Sequence, residues 1–138
     1  MSVNRIYHSW VKQIKQLRPK ERISRVKTMA WLISGIYASQ SVHLSKISNK
    51  MSGSAKLSSH IKRLSRFLKN GKVQVRDWYE PIAEMLIERL VASEAQIRVV
   101  VDGSKVGFGH QLLMVAICYR RRSIPLAWTW IKGAKGHS

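Results

Sequence analysis

The sequence predicts an α+β chain, helical over residues 1–94 and strand-forming over residues 95–138. Two patterns predict it. Up to about Ala92 the apolar residues recur at spacings of three and four, the repeat of a helix with one buried face; from Gln96 they gather into continuous β-branched and aliphatic runs. Charge divides the chain in a similar way. Residues 1–76 hold seventeen Lys and Arg and a single acid, Glu21, whereas Asp77 to Glu94 carries five of the seven acids.

The helices follow in order. Val3 to Leu17 repeats Ile6, Trp10, Ile14 and Leu17, and Arg18-Pro19 ends it, because the residue before proline disfavours the helical region. A second helix is expected from about Pro19 to Ser39. Pro19 suits its first turn, and its stripe is Ile23, Val26, Ala30, Ile33 and Tyr37. A short segment, Leu44 to Met51, leads through Ser52-Gly53-Ser54 to a helix from Ala55 to about Asn70. Asn70-Gly71 stops this helix, since both residues tolerate a left-handed backbone. Leu57, Ile61, Leu64 and Leu68 are expected on its core face, with Lys62, Arg66 and Lys69 opposite and Arg63 beside them. Asp77 is expected to cap a last helix, with Glu80 completing a capping box and Pro81 in the first turn. Trp78, Ile82, Met85 and Leu86 would face a core. Glu80, Glu84 and Glu88 then crowd one solvated face, with no histidine or aspartate near enough to suggest a metal site.

Ile97-Arg98-Val99-Val100-Val101 is the first strand and delivers Asp102 at its exit. Leu112–Tyr119 and Ile124–Ile131 follow, separated by a basic turn, with Pro125 at the start of the third strand. Continuous apolar runs belong to strands covered on both faces. Only the N-terminal helices are available as cover, so an exposed apolar sheet face and a tendency to aggregate are expected.

Twenty-five Lys and Arg against seven acids give a formal charge of +18. That excess points to a polyanionic partner, nucleic acid before an anionic membrane surface. Met29 to Ala38, the longest apolar stretch, is ten residues, whereas a membrane span needs about twenty. Arg5, Lys12 and Lys15 interrupt any secretory signal. The single cysteine, Cys118, cannot form an internal disulfide and is expected as a small core residue in a reducing compartment. These features predict a cytoplasmic protein with no membrane partner.

Short helix, glycine-containing turn and longer basic helix is the layout of a helix-turn-helix unit. It makes Lys56, Lys62, Arg63, Arg66 and Lys69 the candidate DNA contacts. The bland alternative is a surface helix with a solvated charged face. Such a face usually mixes signs, and the near-absence of acids through residue 76 favours nucleic acid.

Asp102 also has two readings. A carboxylate at a strand exit is fixed by the sheet and faces an open end where a metal or substrate could meet it. Asp102-Gly103 is equally a two-residue hairpin signal, although Ser104 to Gly109 is too glycine-rich for a good returning strand and suits a longer loop. Gly107-Phe108-Gly109 is too short for a phosphate loop. His110 and His137 lack partners at metal-ligand spacing, and Lys132 to His137 reads as a frayed end.

The run Val99-Val100-Val101-Asp102-Gly103-Ser104-Lys105, then Leu112–Tyr119, then Ile124-Pro125-Leu126-Ala127-Trp128-Thr129, resembles the start of the catalytic domain of bacterial insertion-sequence transposases of the DDE class. Leu44-Ser45-Lys46-Ile47 through Ile61–Leu68 is similar to the helical region ahead of that domain, and the likeness extends from about residue 25 to the end. It implies a ribonuclease H-like domain opening with three antiparallel strands. It also implies cleavage at element ends followed by attack of the freed 3′-hydroxyl on target DNA. The family's pair of Mg²⁺ ions activates the attacking oxygen and stabilises the leaving one, held by clustered carboxylates. Asp102 matches the first acid of that triad, as catalytic residue and metal ligand. Double-stranded DNA of the terminal repeats is the implied partner, with a homodimer in the full-length form. No acid follows Asp102. The expectation is therefore the N-terminal portion of a truncated or frameshifted transposase, inactive alone; the alternative is a non-catalytic DNA-binding regulator of transposition.

Overall fold

Five helices precede a three-stranded antiparallel sheet of order β1-β2-β3. The computed structural model describes residues 2–93, 96–107 and 109–132; Phe108 and almost all of the expected frayed end, from residue 133, lie outside them. The chain divides into two units, Met1–Trp78 and Tyr79–Ser138. The division falls inside the last helix.

In the first unit α1 spans Val3–Leu17, as its periodicity predicts. Ser2 caps it, its hydroxyl accepting the Arg5 N–H at 3.4 Å. The Arg18 N–H returns to the Ile14 carbonyl at 2.8 Å and closes it. α2 spans Ile23–Ser39 and begins four residues after Pro19. The delay has a cause in Glu21. Its carboxylate accepts the Arg22 N–H at 3.0 Å and bonds both Arg18 and Arg25 at 2.9 Å, so Pro19 to Glu21 forms a turn ahead of the helix. α3 (Leu44–Ser48) is a single turn and α4 spans Leu57–Leu68.

These helices share one core of Tyr7, Ile14, Val26, Ala30, Trp31, Leu32, Ile47, Leu64, Phe67 and Trp78. Tyr7 stacks on Trp31 with ring centroids 4.2 Å apart. Full burial of each such aliphatic or aromatic side chain stabilises by about 1.5–3 kcal/mol. α3 approaches α2 at Gly35, where a Cβ would stand 2.5 Å from Ile47 Cγ2. The buried arc of α4 differs from the expected one. His60, Leu64 and Phe67 face inward, while Leu57 and Leu68 are exposed. Phe67 meets Trp78 edge-on at 6.0 Å, and that contact turns the helix.

α5 spans Val75–Ser93, so Asp77 is its third residue rather than its cap, and Pro81 is interior. A proline there deprives the carbonyl four residues back, that of Asp77, of its helical N–H. The Arg18 guanidinium donates to that carbonyl instead and lies over the Trp78 ring, 4.9 Å from its centroid. The substitute bond explains how the helix carries an internal proline.

In the second unit the Tyr79 hydroxyl donates to the Pro125 carbonyl, and its ring meets Trp128 at 5.0 Å. β1 (Arg98–Lys105), β2 (His110–Tyr119) and β3 (Arg122–Lys132) all run longer than expected. Pro125 is the fourth residue of β3, beside a bulge where Ala127 and Pro125 face Val115 and Ala116 in turn. That irregularity accommodates a residue with no N–H for the ladder. Leu112, Met114, Pro125, Trp128 and Trp130 line an apolar cleft with Tyr79, of about 300 Å³. Val99, Val101 and Ile131 are exposed, so the continuous runs are not covered on both faces, and the expected bare apolar surface is present. Cys118 is exposed as well, not a core residue as expected.

Candidate nucleic-acid interface

Lys62, Arg66 and Lys69 follow one another at steps of four and three along α4, all exposed and opposite the buried arc of His60, Leu64 and Phe67. Neither these three nor Lys56 and Arg63 form an ion pair with any described residue. Arg66 and Lys69 also stand at the C-terminal end of the helix, where cations offset its dipole. That structural role accounts for their position but not for the lack of any acid beside the row. Lys56 stands at the N-cap, off this row, and makes no side-chain cap bond. Arg63 leans the other way: its Nε donates to the Thr28 hydroxyl of α2 at 3.1 Å.

The structure adds residues that sequence reasoning did not single out. Ser24, Arg25 and Thr28 of α2 face Ser59, Arg63, Arg66 and Phe67 of α4 across a cleft of about 440 Å³. Thr28 is buried, and its hydroxyl donates to the Ser24 carbonyl at 2.8 Å while accepting from Arg63. Ser24 and Thr28 stand four apart, as hydroxyls on one helical face do, and that spacing was the available signal.

Glu21 organises the neighbouring charge. Burial pushes its carboxyl pKa up, but hydrogen bonds from Arg18, Arg25 and the Arg22 N–H outweigh that and hold it below the usual carboxylate range. Arg25 reaches Glu21 through Nη1 alone, leaving the rest of its guanidinium for the cleft.

α3 and α4 are joined by eight residues, 49–56, where a helix-turn-helix turn has three or four. The layout is looser than the one expected.

Asp102 sits mid-strand, paired with Met114, and β1 continues to Lys105. It is therefore neither at a strand exit nor in a two-residue turn. Between β1 and β2, Gly107 (φ 64°) and Gly109 (φ 78°) take left-handed backbone and the Val106 N–H reaches the His110 carbonyl at 2.9 Å. Sheet pairing, not the Asp-Gly step, sets where the strand ends. The Asp102 side chain is exposed, with the Ser104 hydroxyl 3.5 Å away. Among the described residues no three His, Cys, Asp or Glu side chains are grouped to hold a metal ion. One carboxylate and one hydroxyl do not fit a two-ion Mg²⁺ site, which needs several carboxylates.

No family model, curated protein or solved structure matches the chain. Among the described residues no helix is long and apolar enough to cross a membrane.

Proposed function

We propose that the chain is a DNA-binding part of a DDE-class transposase, a cytoplasmic protein that grips the duplex ends of an insertion element through its first unit. The observation that carries this reading is the exposed row Lys62–Arg66–Lys69, unopposed by any acid on its helix. A row of lysine and arginine at helical spacing suits phosphate contacts along a groove, and such contacts supply most of the affinity for duplex DNA. The helix-turn-helix assignment and the ribonuclease H-like assignment of β1–β3 belong to the same proposal. Three antiparallel strands in sequential order are compatible with the latter. Asp102 is its first acid, and Mg²⁺ its cofactor once further carboxylates are supplied. A homodimer is proposed for the full-length form.

The donor set around Asp102 favours a second reading on which the chain only binds. In that case it occupies element ends and regulates transposition without cutting.

Selection from a pool of random duplexes tests the shared core of both. Enrichment of a common sequence supports recognition of element ends, whereas recovery of unrelated duplexes reduces the chain to generic attraction. Incubation of labelled duplex with Mg²⁺ tests the chemistry. The 138-residue chain is expected to leave DNA intact, and cleavage abolished by Asp102→Ala would overturn the binding-only expectation.

A further inference from the structure

The geometry points to the α2–α4 cleft as a seat for one backbone phosphate of DNA, formed by Arg25, Arg63 and Arg66 with the hydroxyls of Ser24 and Ser59. This assignment rests on the DNA-binding reading and deepens it by naming the group that is held and the residues that hold it. Three guanidiniums line the cleft and no carboxylate does. Glu21 offsets part of the Arg25 charge, but Arg63 and Arg66 have no carboxylate beside them among the described residues, and the two non-bridging oxygens of a phosphodiester suit planar guanidinium forks.

Two of the three forks are already held in place. Thr28, buried and anchored to the Ser24 carbonyl, holds Arg63 by its Nε, which leaves both terminal amino groups without a described partner. Glu21 holds Arg25 by one terminal nitrogen. Arg66 has no described partner at all. Phe67, buried, supplies an apolar wall, and charge-assisted hydrogen bonds beside such a wall are stronger than in water. Thr28 is a positioning residue: it orders Arg63, and its hydroxyl is fully engaged in doing so.

Continuity decides between a nucleic-acid phosphate and a free one. Arg66 lines the cleft and is also the middle member of the exposed row with Lys62 and Lys69. A strand whose phosphate enters the cleft can meet the row with its neighbouring phosphates, which a single small anion cannot do.

The test uses the whole chain and a short duplex, with affinity measured by fluorescence anisotropy over a salt series. Arg63→Gln and Arg25→Gln are each expected to weaken binding about tenfold and to make the salt slope shallower by up to about one, since the three arginines share a single phosphate. Thr28→Val should weaken binding several-fold with the slope unchanged, since no charge is lost. In parallel, ¹⁵N spectra of the wild-type arginine Nε–H groups should shift for Arg25, Arg63 and Arg66 on adding duplex, and far less with inorganic phosphate at equal phosphate concentration. This readout decides the matter if a variant fails to fold. Wild-type affinity and slope in both Arg→Gln variants, with losses in Lys62→Gln and Lys69→Gln, would overturn the seat and leave DNA binding standing. A chain that binds no duplex sinks both readings. Arginine signals that respond to inorganic phosphate but not to duplex would make the cleft a small-anion site and overturn the assignment.

Discussion

Thr28 and Arg63, thirty-five residues apart, are joined by a hydrogen bond of 3.1 Å from guanidinium Nε to hydroxyl. The bond ties α4 to α2 and fixes the plane of a cation at the edge of the basic row. Thr28→Val keeps the shape but removes the hydroxyl, so it should lower stability by about 1 kcal/mol, while Thr28→Ser should lose less. Urea denaturation of the two variants against wild type checks the order.

Glu21 makes the first unit sensitive to acid. Its folded pKa is depressed, so the stabilisation it contributes is fully present above the unfolded glutamate value of about 4.3. It is lost as pH falls through the lower folded value. Denaturation midpoints should drop as pH falls below the unfolded glutamate value of about 4.3, and Glu21→Gln should flatten that dependence while lowering stability at neutral pH. An equally steep dependence in the variant would assign the effect to other carboxyls.

Gly35 is required by close approach rather than by backbone angle. An alanine Cβ would meet Ile47 Cγ2 at 2.5 Å and the Ile47 carbonyl oxygen at 3.1 Å. Neither neighbour is the far end of a flexible side chain, so α3 has to move. Gly35→Ala should destabilise by about 1–3 kcal/mol, read as a lower thermal midpoint. An unchanged midpoint would show that α3 shifts freely.

The β2–β3 connection is a two-residue loop, Arg120-Arg121, with φ of 45° and 64°. Both signs are those of a type I′ turn, which favours Asn-Gly, and left-handed backbone is unfavourable by about 1–2 kcal/mol for a residue with a Cβ. The double variant Arg120→Asn, Arg121→Gly should therefore raise stability by roughly 1–2 kcal/mol, measured by denaturant unfolding. A loss would mean that the stacking of Arg120 on Tyr119, 5.2 Å from its ring centroid, outweighs the backbone strain.

What the sequence made legible was local. The bounds of α1 follow from a four-member apolar repeat and the Arg18-Pro19 break, both contained in the segment itself. The places of the three strands along the chain follow from their continuous apolar runs. What it hid depends on partners distant along the chain. The start of α5 is obscured because Pro81 normally marks a first turn, and only Arg18, fifty-nine residues before Asp77, supplies the carbonyl's missing donor. The buried arc of α4 is hidden because Leu57 and Leu68 extend an apolar stripe that polar His60 does not announce, whereas His60, Leu64 and Phe67 are buried and Phe67 meets Trp78. Arg25 and Thr28 do not stand out as site residues in the sequence, because α2 reads as a core helix with its apolar stripe at Ile23, Val26, Ala30, Ile33 and Tyr37. Asp102 reads as a strand exit because the β-branched run Val99-Val100-Val101 ends just before it, yet pairing of Asp102 with Met114 and of Gly103 with Leu113 carries the strand past both.

The salt dependence of duplex binding tests the central claim most directly. With one phosphate in the α2–α4 cleft and one at each of Lys62 and Lys69, log affinity should fall against log salt with a slope of about −3. A slope near zero, or no binding at low salt, would contradict the account.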